Sequence, residues 1–176
     1  MSGAAPEVLS TERLDAHRVG PGDEPFLLAM FSDPQVTATL GGPRDAAQVR
    51  ATVERMTGHW ERTGFGTWIL VERATGQPVG WVGLHETDVG GPGNVELLYA
   101  IASEHWRRGF ATEAGRAAVV VGHGVLGLPE LVSFTLPDNR GSRAVMEGLG
   151  FVYECDVEHA GLPHVFYRRR EEEHRG

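Results

Sequence analysis

Two arginines and a glycine stand at the start of a helix in the stretch His105 to Ala114, HWRRGFATEA. The run Ala111 to Val121 reads as helical, so Arg107, Arg108 and Gly109 occupy its amino end. Aligned peptide dipoles place about +0.5 of an elementary charge there, which favours acidic residues and repels basic ones. An anion at that end accounts for the inversion. Free backbone N–H groups converge at a helix start, Gly109 has no Cβ to keep a phosphate from the main chain, and Arg107 and Arg108 offset the ligand's charge. Arg140 and Arg143 open the next helix and are placed to face the same ligand. The geometry suits a pyrophosphate, but this turn carries neither GxxxxGK[ST] nor GxGxxG, so it is of neither the Walker nor the dinucleotide type. An isolated RRG also reads as a solvated turn, so the surrounding elements decide between the two.

Those elements alternate without repeating. Residues 7–14, EVLSTERL, read as a strand, and 21–33, PGDEPFLLAMFSD, as a helix with an acidic start that ends before Pro34. From Asp45, Val49, Val53, Met56 and Trp60 keep the spacing of an amphipathic helix, stopped by Gly64 and Gly66. TWILVER and PVGWVGLHE, joined by ATGQ, form a hairpin signal. The glycine-rich DVGGPGN precedes VELLYAI (95–101), a fourth strand that runs into HWRRG. LVSFTL (131–136) is a strand, Asn139 caps a helix closed by Gly150, and FVYECDVEHAGLPHVFYRR is a second hairpin. The order predicts an α/β (α+β) fold with a mixed, mostly antiparallel sheet of six to seven strands and about four helices.

Composition sets the bounds. The chain has 176 residues, 41% hydrophobic and 23% charged, which predicts one globular domain with a core over about 8–169 and a polar tail at 170–176. Cys155 is the single cysteine, so an internal disulfide is excluded and a reducing, cytoplasmic setting is expected. The first residues carry no basic segment followed by an apolar core, and no apolar run approaches the roughly 18 residues of a membrane span. The net charge of −8 argues against a nucleic-acid partner and suits amine substrates. No HExxH or cysteine cluster points to a metal; His159 and His164 are the closest histidine pair.

HWRRGFATEA, preceded by ELLYAI and followed by DNRGSRAVMEGLGF, resembles the GNAT superfamily of acetyl-CoA-dependent N-acetyltransferases. STERL near the start is similar to the opening element of its RimJ/RimL branch, the ribosomal-protein N-terminal acetyltransferases. The resemblance implies acetyl-CoA as co-substrate and a fourth strand splayed from its neighbour. It assigns the pyrophosphate to backbone amides of Trp106, Arg107, Arg108, Gly109, Phe110 and Ala111, with Thr112 completing the turn. It assigns the pantetheine arm to the backbone of Leu98, Ala100 and Ile101 and to Asn139, and the thioester sulfur to the hydroxyl of Ser142. Asn139 serves equally as a plain helix cap, and Trp106, Phe110 and Phe151 read as core or wall.

Acetyl transfer needs a neutral amine, a donor for the oxyanion and a protonated leaving thiolate. An α-amino group with a pKa of about 7.7–8.0 asks less of a base than a lysine at about 10.4. Strand alternation puts Glu96, Leu98 and Ala100 on one face, so Glu96 is the candidate base and a backbone N–H near Leu98 the oxyanion donor. His85 and Glu86 compete, and no dedicated base is needed in some enzymes of this type. The acceptor, a peptide N-terminus or a small amine, would sit between the helices of 21–62 and the HAGLPH hairpin. A non-catalytic acyl-CoA-binding module is the alternative, and exposed apolar residues on the last strands would suit a homodimer.

Overall fold

The computed structural model describes residues 3–171. Eight strands form a single sheet in the order β1-β2-β3-β4-β5-β6-β8-β7. The strands are β1 (Val8–Ser10), β2 (Leu14–Arg18), β3 (Thr67–Glu72), β4 (Gln77–Thr87), β5 (Asn94–Ile101), β6 (Glu130–Thr135), β7 (Val152–His159) and β8 (Leu162–Arg170). The helices are α1 (Glu24–Ser32), α2 (Pro34–Thr37), α3 (Ala46–Thr63), α4 (Phe110–Val120) and α5 (Arg140–Gly148). All pairings are antiparallel except β5 with β6.

The fold class matches the expectation, and the extra strand comes from one turn. EVLSTERL is not continuous: Thr11 N–H donates to Leu14 O at 2.8 Å, folding the chain back between β1 and β2. The strand expected as the fourth is therefore β5. Pro34, which ends α1, starts α2, because proline fits a first helical turn where its missing N–H is not needed. α3 follows the sequence closely. Asp45 and Gln48 form a reciprocal capping box, and Gly64 ends the helix at φ 78°, a left-handed value that glycine adopts freely. Arg168 and Arg169 lie in β8 as the hairpin implies, and Arg170, expected to open the polar tail, is its last residue; Arg168 pairs with Glu130 and Glu154. Residues 172–176 of that tail lie outside the described residues.

Helices cover both faces. Opposite residues in an antiparallel pair share a face, so Trp81, Gly83 and His85 of β4 lie with Ala100, Leu98 and Glu96 of β5. His59 of α3 stacks on His85, which puts α3 over that face. Val82 of β4 lies against Ala114 and Ala117 of α4 on the other face. Trp68, Leu84, Leu97 and Phe110 are almost wholly buried between these layers. None of the helices is long and apolar enough to cross a membrane among the described residues.

Candidate active site

β5 and β6 come apart. Their only paired position among the described residues is Glu96 with Val132, after which β5 continues along β4 alone. One side-chain bond bridges the opening, from Ser133 Oγ to Leu97 O at 2.8 Å. At its far end Trp106 Nε1 donates to Ile101 O at 2.7 Å. Ala102 N–H donates the other way, to Val79 O of β4. Backbone groups alternate sides along a strand, so Leu97, Tyr99 and Ile101 face the gap while Leu98 and Ala100 face β4. With the Leu97 and Ile101 carbonyls engaged, Tyr99 presents both its N–H and its C=O to the gap and Ile101 its N–H, while Leu98 and Ala100, also expected to bond the pantetheine arm, turn theirs to β4.

The turn before α4 leads to the same opening. Gly109 is the cap residue at φ 80° and Arg107 holds a positive φ of 61°, an arrangement uncommon for a residue with a Cβ. No backbone N–H from Arg107 to Thr112 meets an acceptor among the described residues; the first bond of the helix runs from Glu113 N–H to Gly109 O at 3.0 Å. The opening STERL segment holds this turn in place. Thr11 Oγ1 donates to Glu113 Oε1 at 2.5 Å, and Arg13 donates to the same carboxylate from its backbone at 2.8 Å and from Nε at 2.7 Å. Arg13 Nη1 also reaches Arg108 O at 2.8 Å. Burial works against the charge of Glu113, but these donors outweigh it and keep the carboxyl below its ordinary range.

The two arginines part company. Arg108 does not point freely outward: its guanidinium pairs with Glu72 at the end of β3, bonds His105 Nδ1 at 2.9 Å and lies 4.5 Å from the centre of the Phe110 ring. The hydrogen bond from Arg108 holds the Glu72 carboxyl below its ordinary value. Arg107 is exposed and has no ion-pair partner among the described residues. On α5, Arg143 is turned to Tyr167 Oη at 3.1 Å and Pro137 O at 3.0 Å, so it does not face the turn as expected, whereas Arg140 is exposed. Trp106 is 44% exposed and Phe110 1%, so the first is a wall of the turn and the second belongs to the core, as does Phe151 at 2%.

Ser142 and Asn139 meet β5 from the α4 and α5 side. Asn139 Oδ1 accepts from Ser142 N–H at 3.2 Å and its amide donates to Thr135 Oγ1 at 2.9 Å. Both ends of the Asn139 amide are thus engaged, and the residue acts as the cap that fixes Ser142. Ser142 Oγ lies 3.1 Å from Tyr99 Oη, which also donates to Ser142 O at 3.0 Å. Tyr99 was not anticipated, because attention to the Glu96 face set aside its neighbours. The available signal was chemical: a phenol in a buried strand needs a partner for its hydroxyl.

Glu96 occupies the opposite face, deep among protein atoms yet with part of its surface open. Burial pushes its carboxyl up to about 8. His85 is its cross-strand neighbour and shares a 2.7 Å hydrogen bond with Thr67 Oγ1 through Nε2. His59 stacks on His85 at 4.5 Å and 12°. Its Nδ1 donates to Phe65 O at 2.9 Å and its Nε2 accepts from Glu86 N–H at 3.3 Å, which fixes the neutral tautomer. Burial lowers His85 to about 3, with the charges of His59 and Arg55 adding to it. Glu86 carries its carboxylate outward to Arg62 at 3.8 Å and takes no part. His59 was missed because its spacing with Met56 and Trp60 reads simply as a core stripe.

A gap in the sheet is therefore lined by a backbone N–H and C=O at Tyr99, with a carboxyl of raised pKa on one face and two coupled hydroxyls on the other. An open cradle of amides lies beyond it. Residues 13–152 match the family model described as an acetyltransferase (GNAT) domain. The chain is 27% identical over 149 residues to the uncharacterized N-acetyltransferase YoaA of Bacillus subtilis, covering 84% of each. An acetyltransferase structure from Agrobacterium tumefaciens superposes with a TM-score of 0.83 at 26% identity, covering 97% of this chain and 98% of that one. RimL, a ribosomal L7/L12 alpha-N-protein acetyltransferase solved with coenzyme A, shares the fold at a TM-score of 0.80 and 14% identity, over 93% and 98% of the chains.

Proposed function

Because the chain belongs to the GNAT acetyltransferase family, we propose that this N-acetyltransferase moves the acetyl group of acetyl-CoA directly onto a primary amine. The amine is a peptide N-terminus, as in the RimJ/RimL branch, or a small molecule. The observation that carries the reading is the run of unpaired N–H groups from Arg107 to Thr112 beside a sheet that opens at Tyr99. The amides of that run, Gly109 among them, receive the pyrophosphate, and Arg107 adds the free positive charge. Arg108 serves by holding the turn against Glu72. The pantetheine arm completes the ladder that β5 lacks, next to Leu98, Ala100 and Ile101.

Each face of the gap then has one task. The amine approaches from the α3 side, where Glu96 accepts its proton. A carboxyl with a pKa near that of an α-amino group can take this proton at little thermodynamic cost. The nitrogen attacks the thioester carbon, and the negative oxygen that forms is met by Tyr99 N–H. The C–S bond breaks toward the α5 side. Ser142 Oγ donates a hydrogen bond to the departing thiolate, Tyr99 Oη holds Ser142 in place, and the thiolate takes its proton from solvent. Reference thiols have a pKa near 8.5, so the thiolate is a tolerable leaving group and needs only this hydrogen bond as it departs.

Acetyl-CoA at about 100 times its dissociation constant stabilises a protein by about 2.7 kcal/mol, or about 5–10 °C in melting temperature at this size. That shift with acetyl-CoA and none with ATP, followed by thiol release on adding amines, is the expected result. Binding without release from any amine would leave an acyl-CoA-binding module in place of an enzyme.

A further inference from the structure

The other cations of α3 have partners. Arg50 reaches Glu24 at 3.8 Å and Arg62 reaches Glu86 at 3.8 Å. Arg55 of α3 and Arg44, two residues before that helix begins, do not: among the described residues neither guanidinium is in an ion pair, and both converge on one hydroxyl. Arg44 Nη1 donates to Thr52 Oγ1 at 3.1 Å and Arg55 Nη2 donates to the same atom at 3.4 Å. Thr52 is 2% exposed and gives its own proton to Gln48 O at 2.8 Å. Arg44 is further fixed 4.1 Å from the centre of the Phe31 ring. Two like charges are thus held together on a chain whose net charge is −8 and which pairs most of its other arginines. We propose that Arg44 and Arg55 are the acceptor-recognition site of this acetyltransferase and bind a carboxylate carried by the amine substrate.

The placement supports it. Thr52, Arg55 and His59 stand at i, i+3 and i+7 on one face of α3. His59 stacks on His85, which lies across from Glu96, so this face of α3 leads to the proton acceptor. Arg55 is close enough for its charge to lower His85, and burial together with Arg55 lowers Arg44. At about 1.5 Å of rise per residue, Arg55 lies about 6 Å and Thr52 about 10 Å along the helix from His59. The carboxylate of the acceptor is therefore several bonds from its amine, as in a peptide with an acidic second or third residue, or in a long ω-amino acid. An α-amino acid, whose two groups share one carbon, is too short. A guanidinium fork matches a carboxylate with two parallel bonds, and such an anion would remove the repulsion between the two arginines.

The inference rests on the acetyltransfer reading, and the experiment separates the two. Thiol release from acetyl-CoA is measured with two matched pairs: Ser-Asp-Glu-Ala amide against Ser-Asn-Gln-Ala amide, and 6-aminohexanoate against 6-aminohexanamide. The acidic member of one pair is expected to have a kcat/KM at least tenfold higher, and the pair that responds tells peptide from small molecule. In Arg55→Gln that ratio falls close to one, and Arg44→Gln, checked for folding by its melting curve, does the same. Ratios near or below one in both pairs, or ratios unchanged in both variants, overturn the proposal. If no amine releases thiol, binding of the labelled acidic and amide peptides is compared directly. Preference for the acidic peptide that Arg55→Gln abolishes upholds the carboxylate site while acetyl transfer fails; equal binding of the two removes the site.

Discussion

Glu96 has a pKa pushed up to about 8 because burial disfavours its charge, and in the proposed reaction it takes the proton of the amine. The rate should therefore rise with pH through about 8, as the carboxyl ionises and the amine becomes neutral. Glu96→Gln should lower kcat by about 100-fold, the lower end of what a positioned base contributes. The part of the pH profile due to Glu96 should vanish with it; an unchanged profile would assign the proton to solvent. On the other face, Ser142→Ala should reduce kcat by about tenfold or more with the KM for acetyl-CoA nearly constant, since the role proposed for Ser142 is only to hydrogen-bond the leaving sulfur. Tyr99→Phe should show part of the same loss, because its hydroxyl is 3.1 Å from Ser142 Oγ. A Ser142→Ala enzyme with wild-type rates would reduce the serine to a helix residue.

Among the elements, the turn before α4 depends on a segment nearly a hundred residues earlier. Arg13 ties Glu113 and the carbonyl of Arg108 together, so Arg13→Ala should release the amide cradle. Charge-assisted hydrogen bonds are worth about 1.5–3 kcal/mol each at most, and Arg13 is half exposed, so a fall of a few degrees in melting temperature is expected. The affinity for acetyl-CoA should weaken about tenfold, measured by titration. Gly109→Ala addresses the same turn from within: at φ 80° any Cβ is strained, and it would lie 3.3 Å from Arg13 Nη2. A cost of about 1–2 kcal/mol is expected in stability, with a larger loss in binding because the substituent stands among the open N–H groups. Normal affinity in both variants would move the pyrophosphate elsewhere.

For the whole molecule, the raised pKa of Glu96 is also a statement about stability. A carboxyl that binds its proton more tightly when folded stabilises the folded state below its unfolded pKa, and that contribution is lost as pH rises through the folded value. The window runs from 4.5 to about 8. The melting temperature should fall across it, and Glu96→Gln, which keeps the neutral shape, should fall less. Equal slopes would mean that Glu96 is better solvated than its surroundings imply. Glu72 and Glu113 work in the opposite sense, since their carboxyls are held low and stabilise above their unfolded values, so their loss appears only at acid pH.

Local patterning in the chain was enough to find α3 with its Asp45 cap and Gly64 stop, both hairpins, the glycine turn that opens α4 at Gly109 and the mixed sheet. Each is encoded within a few residues by periodicity, caps or glycine. The same patterning placed Glu96 and Ser142 correctly on β5 and α5. Tertiary structure alone decided which backbone groups face the gap, because that depends on which partner β5 keeps and where it stops pairing with β6. It also decided that Arg108 belongs to Glu72, that Asn139 bonds both Thr135 and Ser142, and that Tyr99 completes the pair with Ser142. Hydrogen-bond partners of long polar side chains are set by residues far away in sequence, as Thr11 and Glu113 are, 102 positions apart. No local pattern carries that distance.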